Sequence, residues 1–67
     1  MKRKKLFKFI KYFAFDEKCK VYTTEGDNPQ FEGFVSDIPY WLAELCLLHD
    51  GGIGVDEDGV LYFMVQA

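Results

Sequence analysis

Along residues 5–14 the apolar side chains Leu6, Phe7, Phe9, Ile10, Phe13 and Ala14 fall in one arc of a helical wheel, with Lys5, Lys8 and Lys11 opposite. Strand alternation competes, because Phe7, Phe9, Phe13 and Phe15 share parity, but Lys11 would then break the apolar face. Charge placement therefore predicts a basic amphipathic helix over residues 4–14. Cys19 to Thr24 alternates, Glu25-Gly-Asp-Asn-Pro29 is dense in turn formers, and Phe31 to Ser36 alternates again, which predicts a β-hairpin. Ser36 and Asp37 offer N-cap oxygens, Pro39 suits a first helical turn and Gly51-Gly52 is a stop signal, so a second helix is expected from Ile38 or Pro39 toward His49. Ile53 to Val55 and Val60 to Val65 flank Asp56-Glu-Asp-Gly59 as a second hairpin. The expected fold is a small two-layer α+β domain spanning residues 1–67, of order α-β-β-α-β-β with antiparallel hairpins, the body after residue 19 being acidic.

Two segments carry more apolar surface than this plan uses. Tyr40 to Leu48 has Glu44 as its one charge, and Val60 to Val65 is apolar on both parities. An element that is apolar all round is normally covered all round. Unless the first helix covers the second sheet face, another chain must. The expectation is an interface formed by Tyr40, Trp41, Leu45, Leu48, Tyr62 and Met64, meeting a protein partner or a second copy.

Composition narrows the function classes. A chain of 67 residues that is 49% hydrophobic is an ordered small domain and not a disordered tail. Seven Phe, four Tyr and one Trp supply the core, since each buried ring contributes roughly 1.5–3 kcal/mol or more. A radius of gyration of about 11 Å leaves little room for a deep substrate cleft. Two Cys are too few for a disulfide scaffold. Lys8 and Lys11 interrupt the apolar run that a secretory signal would need, and no stretch is long enough to span a bilayer, so a cytoplasmic setting is expected.

Charge is divided along the chain. Residues 1–20 hold all eight Lys and Arg and two acids, a net +6, whereas residues 21–67 hold nine acids and no Lys or Arg, a net −9. Lys2, Arg3, Lys4, Lys5, Lys8 and Lys11 form a basic patch that could meet nucleic acid or an anionic surface. The acidic body repels phosphate, which makes this the alternative to protein binding. Asp56, Glu57 and Asp58 form an acidic patch suited to inhibiting a basic protein surface. The helix has its charges opposed to its dipole, with lysines at its start and Asp16-Glu17 at its end, so tertiary packing must hold it. The +6 segment is therefore expected to lie against the −9 body.

Catalytic signatures are sparse. Cys46 and His49 are three residues apart, which draws a dyad on a helix face but supplies no orienting third group. Zinc would need two more soft ligands. Gly51-Gly-Ile-Gly-Val-Asp56 fits one copy of a calcium β-roll repeat that requires tandem copies, and Asp56-Glu-Asp-Gly59 lacks the later bidentate Glu of a calcium loop. These read as turns. No catalytic residue, metal or cofactor is expected.

The run Phe31-Glu-Gly-Phe-Val-Ser-Asp-Ile-Pro-Tyr-Trp-Leu42, followed by the apolar strand after Asp58-Gly59, resembles small uncharacterised accessory proteins of bacterial phages and conjugative elements of the Firmicutes type. The resemblance extends over most of the chain, including the Leu-x-x-Phe-Ile helix. It implies a host-modulating or anti-defence role exercised by binding.

Overall fold

The central strand of the sheet is the last one in sequence. In the computed structural model, which describes residues 4–48 and 52–67, strand β5 (Leu61–Gln66) lies parallel to β1 (Lys18–Thr23), with Val21 opposite Phe63 and Thr23 opposite Val65. Strand β2 (Phe31–Phe34) adds to the outer side of β1 as the expected antiparallel hairpin. On the other side of β5, β4 (Ile53–Val55) pairs antiparallel with its first half and a two-residue strand β3 (Cys46–Leu47) with its end. The result is one mixed five-stranded sheet. Both expected hairpins are present, and the apolar character of Val60 to Val65 on both parities marks a central strand with neighbours on each side. The two antiparallel hairpins are joined by a parallel pairing of β1 with β5, a non-local contact that strand periodicity does not specify.

Alternation divides the sheet cleanly. Cys19, Val21 and Thr23 of β1 and Leu61, Phe63 and Val65 of β5 are buried on one face, and both short helices lie over that face. Helix α1 (Phe7–Ile10), the 3-10 turn Val35–Asp37 and helix α2 (Tyr40–Ala43) belong to this layer, which places Leu6, Val35 and Leu42 in the core. Phe9, Ile10 and Phe13 pack against them. Each fully buried Leu, Val or Phe contributes roughly 1.5–3 kcal/mol, so this single cluster is the main source of stability. The protein is an α+β domain with a radius of gyration of 10.8 Å.

Both helices are shorter than expected, for one shared reason. The apolar run Leu45 to Leu48 was assigned to the second helix, which instead ends at Ala43 with Glu44 as its cap. Cys46 and Leu47 then pair with Gln66 and Val65, satisfying backbone groups along the edge of β5 that a longer helix would leave bare. The first helix, expected over residues 4–14, spans only Phe7–Ile10 because Lys4 to Leu6 extend this same edge. The Leu6 amide donates to the Leu45 carbonyl at 2.9 Å, and the Leu47 amide donates to the Lys4 carbonyl at 3.0 Å. Beyond Ile10 the chain tightens into three-residue turns, the Tyr12 amide reaching the Phe9 carbonyl and that of Phe13 the Ile10 carbonyl, both at 3.0 Å. So short a helix gains little from propagation, and ending at Ile10 places Lys8 in its last turn and Lys11 at its C-cap, where their charge suits the dipole, away from Asp16 and Glu17.

Candidate interaction surfaces

The N-terminal segment docks with its apolar side and leaves its basic side free. Leu6 is fully buried, and Phe9 and Phe13 face the core, whereas Phe7 is 39% and Tyr12 73% exposed. Lys4, Lys5, Lys8 and Lys11 gather around a concavity of about 550 Å³ whose remaining walls are Phe7, Phe9 and Tyr12. Among the described residues no carboxylate lines it. The ammonium groups lie against the rings: Lys5 and Lys8 are 5.9 and 5.6 Å from the Phe7 centroid, and Lys11 is 5.4 Å from that of Tyr12. Such contacts are weak at exposed sites, about 0.5–1 kcal/mol, so the lysines can exchange them for an anion. Among the described residues the one ion pair is Lys20 to Asp56, at 3.6 Å. Among the described residues, the segment of residues 4–13 meets the body through backbone bonds and apolar contacts.

This arrangement unites four of the six residues of the expected basic patch; Lys2 and Arg3 lie outside the described residues. Phe7 and Tyr12 were not assigned to the patch. Tyr12 departs from the apolar arc and directly follows Lys11, and that interleaving of an aromatic with lysines was the available signal.

The expected apolar interface is divided. Tyr40 and Trp41 project from α2 with 74% and 54% exposure, while the neighbouring Leu42 and Ala43 turn inward. Leu45 packs against the core, and Leu48 donates its amide to the Met64 carbonyl at the sheet edge. Tyr62 and Met64 belong to the other parity of β5, on the sheet face away from the helices, where they are half-buried. Tyr40 and Trp41 therefore share no surface with Tyr62 and Met64.

That second sheet face is covered by neither helix; its own side chains close over it. Tyr22 and Tyr62 meet edge to face with centroids 6.2 Å apart. Tyr62 also lies across Gly54, where an added Cβ would stand 2.6 Å from the phenol oxygen. Tyr22, Tyr62 and Met64, with Gly26, Asp27 and Asp56, line a depression of about 300 Å³. It mixes rings with carboxylates and offers no concentration of either charge.

The acidic patch is a turn. The Asp56 carboxylate accepts the amides of Asp58 and Val60, each at 2.9 Å, and Gly59 takes the left-handed conformation (φ 80°) that closes the loop. The Val60 amide above all holds the Asp56 carboxyl below its ordinary range; burial opposes it, and the Asp58 amide and the Lys20 charge add to the lowering. Glu57 and Asp58 are exposed at the tip. No cluster of three or more His, Cys, Asp or Glu suited to a metal occurs among the described residues.

Cys19 lacks the setting of a nucleophile. Burial first, and the Glu17 carboxylate second, push the Cys19 thiol up to about 11. Cys46 lies on β3, so the helical spacing that suggested a dyad with His49 does not exist, and His49 and Gly51 fall outside the described residues. Both thiols are free.

The two charged regions stand at opposite ends of β5. Lys5 bridges Cys46, which faces Gln66 at the end of the strand, whereas the Asp56–Gly59 turn adjoins Leu61 at its beginning. Five residues of strand, about 16 Å, separate the Lys5 bridge from the start of that turn, and the four lysines gather on one concavity of a chain of net charge −3. No helix among the described residues is long and apolar enough to cross a membrane. Comparison with protein-family models, with curated proteins and with solved structures finds no significant match.

Proposed function

We propose that this protein is a non-enzymatic binding module whose working surface is the lysine groove of residues 4–12, and that it takes a polyanionic partner. The observation that carries this reading is the convergence of Lys4, Lys5, Lys8 and Lys11 on one concavity with no carboxylate among the described residues of its walls. Four like charges held together by a fold raise the local potential, and their repulsion is relieved when an anion binds. Phages and mobile elements are the setting suggested by the resemblance at Phe31 to Leu42. The direct test is retention on immobilised heparin at low salt. Retention that falls sharply in a Lys8→Glu/Lys11→Glu variant but persists in Lys18→Glu supports the groove; equal loss in both variants, or no retention of the wild type, contradicts it.

A second reading has its own observation. Tyr40 and Trp41 are exposed side by side on α2, and aromatic pairs of this kind anchor protein interfaces. Self-association through them would bury Trp41 and blue-shift its fluorescence as concentration rises. A monomer in sedimentation at every concentration, with unshifted emission, excludes self-association through this pair.

A further inference from the structure

We infer that the polyanion held by the groove is a single strand of nucleic acid, its bases stacked on Phe7 and Tyr12 and its phosphates met by Lys4, Lys8 and Lys11. This rests on the polyanion reading above and adds the class of partner.

Three alternatives use the groove less well. A membrane surface would need the apolar side of the segment for insertion, yet Leu6 is fully buried and Phe9, Ile10 and Phe13 pack against the core, so no continuous apolar face remains beside the charges, only the separate rings of Phe7, Tyr12 and Phe15. A duplex is read by a helix long enough to enter the major groove, and α1 has four residues. Paired bases also offer their faces to one another and not to a protein wall. An acidic protein would engage the lysines but has no particular use for the two exposed rings. A single strand presents phosphates and free base faces in alternation, which matches a wall where lysines and rings alternate from Lys4 to Tyr12.

The free protein holds these parts ready. The ammonium groups of Lys5, Lys8 and Lys11 lie within 5.9 Å of a ring centroid. On binding, the flexible lysine stems swing to the phosphates, and the ring faces they leave are taken by bases. No bond is made or broken. Because every base has a π-face, recognition is tolerant of sequence and strongly dependent on salt.

The experiment measures anisotropy of a fluorescent oligothymidylate of roughly 12 nucleotides at about 50 mM salt, beside the matching duplex, heparin, and vesicles of phosphatidylserine and phosphatidylcholine. The wild type should bind the single strand more tightly than the duplex and bind the vesicles weakly. Tyr12→Leu should weaken the single strand by about 5- to 100-fold, the range expected from losing one stacked base, and Tyr12→Trp should restore it. Heparin affinity should be the same for both variants, which also shows that they are folded. Phe7→Leu gives an independent second reading of the stack. Equal affinity for single strand and heparin with no effect of Tyr12→Leu overturns the stacking inference and leaves the polyanion reading standing. Preference for vesicles or duplex overturns it too. Failure to bind any of the four overturns both.

Discussion

Phe13 meets Phe63 edge to face, with ring centroids 5.4 Å apart and planes at 77°. This contact ties the basic N-terminal segment to the central strand. Phe63 is fully buried, and Phe13 reaches it from the turn that follows α1. The lysines of that segment are consequently carried on a fixed scaffold and not on a loose tail.

The contact has a measurable worth. In a double-mutant cycle with Phe13→Leu and Phe63→Leu, denaturant unfolding should give a coupling of about 0.5–1.5 kcal/mol between the two positions. Phe63→Ala should cost about 3–5 kcal/mol, enough to unfold much of a domain this small. Simple additivity of the Leu variants would mean that the rings do not interact.

Tyr62 and Gly54 form a second test pair. A methyl group at residue 54 has nowhere to go while the Tyr62 ring lies over it, its nearest ring carbon 2.7 Å from the added Cβ. Gly54→Ala should therefore destabilise by about 1–3 kcal/mol, the usual range for overpacking. In a Tyr62→Leu background the same change should cost much less. An equal cost in both backgrounds would place the penalty in the backbone and not in the ring.

Burial of Cys19 gives two expectations. In the native protein iodoacetamide should modify Cys46 far faster than Cys19, and unfolding should equalise them, as peptide mass mapping can show. Stability should also fall as pH rises. The folded thiol keeps its proton up to about 11, while the unfolded one loses it near the ordinary value of 9.0, so between those pH values the unfolded chain binds fewer protons and is favoured. The loss should be on the order of 2 kcal/mol and absent in Cys19→Val, whose alkaline profile should be correspondingly flatter. Identical profiles for the two proteins would contradict the assignment.

Asp56 acts at the other end of the pH scale. Its folded carboxyl titrates below the unfolded one, so its contribution is complete above the ordinary carboxylate value of 3.8 and is lost as pH falls through the lower, folded value. Asp56→Ala should lower the urea midpoint at neutral pH, where the carboxylate holds the turn amides. The difference from wild type should shrink in acid. A gap that persists once the wild-type carboxyl is protonated would mean that the turn does not depend on its charge.

Sequence patterning located the two hairpins because alternation and turn chemistry are local, as in Val60 to Val65 with Asp56 and Gly59 beside it. It misjudged Leu45 to Leu48, since a short apolar run without polar alternation suits a buried helix and a buried strand equally. The deciding fact was the need of β5 for an edge partner, which is non-local. The same applies to Lys4 to Leu6, whose helical periodicity was overridden by pairing with Leu45 and Leu47. At the candidate site the lysines were visible as a stripe, but Phe7 was assigned to the apolar arc and its half-exposed position depends on how α1 is seated. The interface expected around Trp41 combined Tyr62 and Met64, which share one parity of β5, with residues of α2, and only the topology places the two groups on different faces.

The most direct test of the lysine groove is the salt dependence of single-strand binding in wild type and in Lys8→Gln. Three lysines meeting phosphates give a slope of log affinity against log salt of about −2, and removing one should reduce its magnitude by about 0.7. Those two slopes are the expected result. Binding that is absent at the lowest salt, or a slope that Lys8→Gln leaves unchanged, would contradict the account.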